Sequence, residues 1–505
     1  MSEAPAPPAA EPPWEKLHPT SFLVASLQSL PQMVLGFGGF GFATRDASYA
    51  LQFAIVGTAA ALVFGFVRWT RFRFQVTPTE LRIESGLFDR RRRVIPLERV
   101  QDVDIERGPL HRLLGLAKAR VETGGGGKDE GTLDGIRLAR AAELREQLRG
   151  RRAGPWGAAP LPADEAPLYR LGAGRLLLLG LFNFSLVYIA VLFSALQTVG
   201  QAFGLDWDDL AERSRGLREQ AEAQASWRAL LLVLAVALLL GVLTGVVRTA
   251  LRDWGYTLRR RGRALVRRRG LTTVSEVAIA LRRVQAAHLS AGPAMRRFGL
   301  ARLQFQTLGL GVEGAGGVQD AVPLGDADEI GRVLNQPFAV ELPGEADYAR
   351  GPASGIVPRV LAPLMLAGVL AVVLAAFDQA RWLPVPLLLA LWSFGGGVLG
   401  WRAHGWATAR GQLFLRWGWW KRRTLVLPLS RLQALQLRDG PLRRRLGLAT
   451  VHVDSAGASA FGIPTLPALA RAEAEAVAAA LLQKSVPIVR AGPEPGAASP
   501  ATRSL

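Results

Sequence analysis

The sequence predicts a mixed membrane protein: six transmembrane α-helices in three pairs, each pair followed by a small, basic, β-rich domain with a C-terminal helix. Three observations predict it. Six apolar stretches carry no Asp, Glu, Lys or Arg. The three long segments between and after the pairs are crowded with arginine. One sixteen-residue phrase recurs, in register, in each of those segments.

The apolar stretches are Phe22–Ala43, Ala50–Val67, Leu176–Gly200, Ala229–Val247, Val360–Phe377 and Leu383–Trp401, each 18 to 25 residues long. A helix needs about 20 residues to cross ~30 Å of hydrocarbon. Tyr49, Trp69, Trp227, Trp382 and Trp401 stand near their ends, where interfacial aromatic residues collect. The first two stretches hold Pro31, Gln28, Gln32 and many glycines, which membrane helices tolerate. Residues 1–17 are rich in Pro, Ala and Glu and lack a basic start, so no cleavable signal is expected there.

Charge sets the expected orientation. Thr44–Tyr49 and Asp378–Trp382 carry one arginine each, and Gln201–Trp227 sets three arginines against six acids. Arg68–Arg175, Arg248–Arg359 and the segment from Arg402 onward are rich in arginine close to the membrane, which predicts that they and both termini are cytoplasmic. The formal net charge is +20. The absence of cysteine excludes disulfides, thiolate metal sites and cysteine nucleophiles in this chain.

The repeat reads GLFDRRRRVIPLERVQ from Gly86 to Gln101, GLTTVSEVAIALRRVQ from Gly270 to Gln285, and GWWKRRTLVLPLSRLQ from Gly418 to Gln433. It continues through Gly108-Pro109-Leu110, Gly292-Pro293-Ala294 and Gly440-Pro441-Leu442 to the glycines Gly115, Gly299 and Gly447, each fourteen positions after its glutamine. The chain therefore carries three copies of one unit. Within copy one, Arg71–Val76, Glu80–Glu84, Arg91–Leu97, Arg99–Glu106 and Lys118–Thr123 read as strands, with Gln101, Val103 and Ile105 on one face and Asp102, Asp104 and Glu106 on a solvated one. Helices are expected at about Asp134–Leu148, Asp326–Asn335 and Pro467–Leu482.

The expected organisation is a disordered segment 1–21, helix pair 22–67, domain 68–150, linker 151–175, helix pair 176–247, domain 248–336, linker 337–359, helix pair 360–401, domain 402–484 and a disordered tail 485–505.

The phrase G-L, basic residues, I-P-L-x-R-V-Q, then G-P-L-x-R-L-L-G-L-A resembles the bacterial pleckstrin-homology-like (PH-like) domain of the YdbS/YdbT-like membrane proteins. The resemblance covers all three basic segments, and the helix pairs fit that layout. Copy two departs most, with Ala280 where Pro96 and Pro428 stand and Phe298 in place of leucine. It implies two near-orthogonal sheets capped by a C-terminal helix, in a protein of the bacterial cytoplasmic membrane, and supplies no catalytic residues.

The candidate lipid- or partner-binding residues are Arg90, Arg91, Arg92 and Arg93, Arg267, Arg268 and Arg269, and Lys421, Arg422 and Arg423. Near an anionic leaflet each basic residue is worth roughly 1 kcal/mol. The repeated Gln101, Gln285 and Gln433 read as structural hydrogen-bonding groups, and Gly86, Gly115, Gly270, Gly299, Gly418 and Gly447 as turn positions. Gly124–Gly127 with Lys128, and Gly309, Gly311 and Gly314, imitate nucleotide loops but lack the Ser/Thr or βαβ setting those need. The five histidines lack metal-ligand spacing. No cofactor, nucleic acid or small-molecule substrate is expected. The expected ligands are membrane lipids, other membrane proteins or a second copy, in a non-enzymatic scaffold. The alternative is a transporter, with Asn183, Gln197, Gln28 and Gln32 as its strong polar candidates.

Overall fold

A computed structural model describes residues 12–28, 47–86, 90–123, 131–150, 166–184, 227–307, 317–456 and 464–485. The chain packs as two units, Met1–Val284 with Ala294–Pro337, and Gln285–Pro293 with Phe338–Leu505.

In the first unit, helix α1 (Ala47–Arg71) runs into copy one. Strands β1 (Arg73–Val76), β2 (Glu80–Ser85) and β3 (Arg91–Pro96) form an antiparallel sheet, and β4 (Val100–Arg107), β5 (Leu116–Thr123) and β6 (Thr132–Arg137) pair in that order. The short helix α2 (Pro109–Leu113) joins β4 to β5, and α3 (Leu138–Gly150) closes the domain. Alternation sets the faces: Leu81 and Ile83 of β2 point inward. They meet Ile95, Val103, Val121 and Leu133, with Ala141 and Leu144 of α3, in one core.

Copy two adds β7 (Tyr169–Arg170), α4 (Ala173–Phe182), α5 (Trp227–Asp253), β8 (Thr257–Arg261), β9 (Ala264–Arg269) and β10 (Val274–Ala280) to the first unit. Glycine brings α4 and α5 close: a Cβ on Gly180 would lie 2.6 Å from the Cα of Val246. Strand β10 pairs with β9 on one side and with β4 of copy one on the other, matching Ser275 to Glu106 and Glu276 to Ile105. Strand β11 (Val284–Ala291) belongs by its packing to the second unit, and α6 (Pro293–Arg297) follows it. The hairpin β12 (Ala301–Thr307) and β13 (Val318–Gly325) and helix α7 (Ala327–Phe338) complete the copy.

The second unit holds helices α8 (Val357–Ala376) and α9 (Pro384–Ala403) and copy three. Strands β14 (Gly405–Ala409), β15 (Gln412–Trp417) and β16 (Arg422–Pro428) pair in order, and β11 lies antiparallel to β16, matching Ser290 to Arg423 and Leu289 to Thr424. By the repeat, Glu106 is equivalent to Ser290 and Ser275 to Arg423, so this contact has the same register as that between β4 and β10. Strands β17 (Leu432–Arg438), β18 (Leu448–Ser455) and β19 (Leu469–Ala470), the short helix α10 (Pro441–Arg445) and the closing helix α11 (Arg471–Ser485) finish the fold.

Residues ahead of the apolar stretch of each copy also bond to the first strand of the domain after it: Glu15 to Phe74, Tyr169 to Leu258 and Ala349 to Trp406. The three strand positions are equivalent in the repeat, so each domain grips the chain at entry to and exit from its helices.

Three described helices, Ala235–Asp253, Ala353–Ala376 and Pro384–Ala403, are long and apolar enough to cross a membrane, and Ala173–Phe182 is a shorter apolar helix. Much of the stretches Phe22–Ala43 and Leu176–Gly200 lies outside the described residues, as do segments 151–165 and 486–505. The closing helices of copies one and three start later than the sequence pattern indicates. Thr132–Arg137 and Leu469–Ala470 are first used as strands that complete a sheet. Asp104 is buried rather than solvated, because β4 has β5 on one side and β10 on the other.

Two turns demand glycine. Gly270 has φ +111° and Gly418 φ +85°, and a Cβ would lie 1.9 Å from the Thr273 carbonyl oxygen and 2.2 Å from that of Lys421. Gly270→Ala is expected to cost about 1–3 kcal/mol, whereas Gly172→Ala, with open space and an extended backbone, should be close to neutral. Thermal unfolding of the two variants in detergent checks this.

Candidate lipid and partner surfaces

The fold separates the arginines that sequence groups together. Arg91, Arg92 and Arg93 occupy β3, whose described ladder partner is β2, and Arg90 precedes them; all four are exposed. Arg92 lies 3.6 Å from Glu84, which also holds Arg73. The position of Arg93 is taken by Val277 in copy two and Leu425 in copy three, where it is 3% and 1% exposed. Those strands, β10 and β16, each carry a further strand, from the copy before. Among the described residues β3 has β2 as its single neighbouring strand, and the charge of the arginine run on that edge opposes unwanted pairing.

Arg267 and Arg269 leave the candidate surface altogether. They alternate inward on β9, 0% and 5% exposed, with Arg268 alone pointing out. Arg269 Nη1 lies 2.7 Å from Asp253 Oδ1 and 3.4 Å from Asp320 Oδ2. Arg252 reaches the same Asp320 oxygen at 3.0 Å, and Arg267 donates to the Asp320 carbonyl at 3.2 Å. Tyr256 donates its hydroxyl to the carbonyls of Asp320 and Ala321 at 2.9 Å. Burial, then repulsion by Arg267 and Arg252, pushes the Arg269 guanidinium down to about 10. Burial alone would raise the Asp320 carboxyl, but the surrounding arginines hold it below the ordinary range. The sequence gives little sign of this network, since copies one and three have Ile83 and Leu415 where Arg267 stands. Its effect is to fasten the last turn of α5 to β9 and β13.

In copy three, Lys421 and Arg423 are exposed, while Arg422 is half-buried and pairs with Glu345. The repeated glutamines differ in setting. Gln285 is buried and Gln433 exposed, and the side chain of Gln101 lies outside the described residues. Register shifts fall between Val100 and Asp102 and between Leu432 and Ala434, so in copies one and three the glutamine is the extra residue of a β-bulge. Gly86 has φ +116°, and Gly115, Gly299 and Gly447 have φ of +64° to +67° just after α2, α6 and α10.

Among the described residues no group of His, Asp and Glu is placed to hold a metal ion. His111 pairs with Asp134 at 2.8 Å and ties α2 to β6. Asn183 donates to Thr249 at 3.2 Å, which links α4 to α5. Gln32, Gln197 and both glycine-rich segments lie outside the described residues.

Asp320→Asn leaves Arg269 and Arg252 without that carboxylate. A loss of about 3–5 kcal/mol is expected, read by thermal unfolding. Because the folded-state pKa of Asp320 is lowered, its contribution is present above the unfolded carboxylate value and is lost as pH falls through the folded one. The difference between the two proteins should therefore shrink in acid.

The family model described as the bacterial PH domain matches residues 25–152, 176–337 and 356–485, so each match takes in an apolar stretch and the domain that follows it. The UPF0699 transmembrane protein YdbT of Bacillus subtilis (strain 168) is 22% identical over 320 residues, which are 59% of this chain and 63% of that protein. The chain thus spans under two thirds of that relative's length. No solved structure matches. Three matches covering most of the chain, on three copies that the fold shows independently, establish that this transmembrane protein belongs to the bacterial PH domain family.

Proposed function

We propose that the chain is a non-enzymatic scaffold of the bacterial cytoplasmic membrane. Its helix pairs hold three PH-like modules at the cytoplasmic surface, where they bind other membrane proteins and anionic lipid headgroups. The arginine-rich flanks of the helices support that orientation. Tethering several modules at one surface raises the effective concentration of each for a shared target.

Strand β17 is the observation that supports this reading most. Its counterparts β4 and β11 each lie beside a strand of the next copy, and Val103 and Ala287 on them are 1% and 0% exposed. Among the described residues β17 has β18 as its single neighbouring strand. On β17 the equivalent Leu435 is only half-buried, and Gln433, Gln436 and Arg438 are exposed. A strand edge of this kind is a template for an extended segment of a partner, with the backbone supplying affinity and alternate side chains selectivity.

A photo-crosslinking residue at Gln436 is expected to capture a defined membrane protein in native membranes, while the same residue at the buried equivalent His288 captures none. Capture of lipid alone at Gln436 would sink the partner reading of this edge.

A further inference from the structure

The second unit contains a polar cavity of about 290 Å³ where the first turn of α8 and the end of α9 meet copy three. Arg359 and His404 line it from the two helix ends, with Trp417, Gly418 and Thr465 from the domain. The hydrogen bonds settle the charges. His404 Nε2 lies 2.9 Å from the Thr465 carbonyl oxygen, which can only accept, so Nε2 carries the proton and Nδ1 accepts from Arg359 Nη2 at 2.5 Å. Burial pushes His404 down to about 4, so the ring is neutral at physiological pH. The Arg359 charge is therefore not balanced there. Its Nη1 is buried without a partner, and no carboxylate pairs with it among the described residues.

Copy two shows what a balanced arginine looks like at this place. Arg175 is the third residue of α4, as Arg359 is of α8, and it is held by Glu329 and by Asp326, the latter at 3.0 Å. In copy three that acid pair is missing and a cavity stands beside the guanidinium.

An apolar groove lies beside this cavity. Along α9, Val385, Leu388, Trp392, Gly396 and Leu399 line a groove of about 670 Å³ that Trp419 closes from the domain. Gly400, one helical turn beyond Gly396, belongs to the polar cavity, and Trp419 adjoins Gly418. Gly396 is what leaves room: its absent Cβ would sit 3.6 Å from the Trp419 indole nitrogen, an ordinary contact. An unbalanced cation at the depth where the apolar span ends, beside an apolar groove along a membrane helix, matches a molecule with an anionic head and a hydrocarbon tail.

We propose that copy three binds one anionic phospholipid, its phosphate held by Arg359 and an acyl chain laid along α9 beneath Trp419. This goes beyond the scaffold reading in one respect: the site lies on the helix pair rather than on the exposed arginines or the β17 edge, so either can fail without the other.

The test is native mass spectrometry of the full chain, released from nanodiscs containing equal phosphatidylglycerol and phosphatidylcholine. The wild type is expected to retain one phosphatidylglycerol. Arg359→Gln should lower its preference over phosphatidylcholine about tenfold, since a charge-assisted hydrogen bond is lost, and Arg359→Lys should restore part of it. Gly396→Leu, which fills the groove on a helix that accepts leucine, should abolish retention of either lipid. Arg175→Gln, at the balanced site, should leave retention unchanged. Inorganic phosphate added in excess should not displace the lipid; if it does, the site is a phosphate site and the acyl groove plays no part. Equal retention of both lipids by the wild type, or unchanged preference in Arg359→Gln at unchanged melting temperature, overturns the proposal.

Discussion

A sheet edge leaves a row of backbone donors and acceptors unmade, and much of this architecture follows from how those edges are finished. Strand β4 of copy one finishes against β10, and β11 finishes against β16, in one shared register. Two sites separated in sequence and diverged in side chains keep the same backbone match, so the contact is a property of the repeat and not of particular residues. The side chains then record which edges are covered. Val277 and Leu425 are buried apolar residues under a neighbouring strand, while Arg93, at the same position on the uncovered β3, is exposed. Covered positions reward apolar surface, and uncovered ones reward charge that keeps the edge soluble.

The attachment of the membrane helices is likewise backbone first and side chain second. All three copies use a bridge from a residue ahead of the apolar stretch to the first strand after it. Copy two adds the buried cluster of Arg267, Arg269, Asp253 and Asp320. Burying these charges is costly unless each is paired and hydrogen-bonded, so the cluster constrains where the end of α5 can sit more than it adds net stability. The half-exposed Arg175 pair is a weaker tie of the same kind and should contribute little by itself.

Much of the fold was legible in the sequence because it rests on periodicity. Strand β2 alternates, and the phrase from Gly86 to Gln101 repeats closely enough to align three domains. What was not legible depends on partners distant in sequence. Asp104 looks like a surface acid until β10 covers its strand, and Arg267 and Arg269 look like a basic patch until the alternation of β9 turns both inward. Gln101 and Gln433 keep a two-residue alternation on paper, yet the bulges at these positions break it. The strand use of Thr132–Arg137 was hidden because the same residues also suit the start of a helix.

Copy two is the informative exception. Ala280 adopts φ −67° and ψ 121° where Pro96 and Pro428 adopt φ −56° and −59° with ψ 130°. The turn therefore does not need proline for its shape. Proline there acts mainly by limiting the unfolded chain, and its loss is a matter of modest stability rather than of fold. Copy two is also the middle repeat, with β10 and β11 each beside a strand of another copy. A domain covered on both edges gains more from buried contacts than from surface charge. Arginines on its strands are then free to turn inward and meet acids, as Arg267 and Arg269 do. Among the described residues, the arginines of β3 in copy one are exposed and the leucines of β17 in copy three are half-exposed, each strand having a single neighbour. The side chains of the three copies thus differ with the neighbours that their strands have among the described residues.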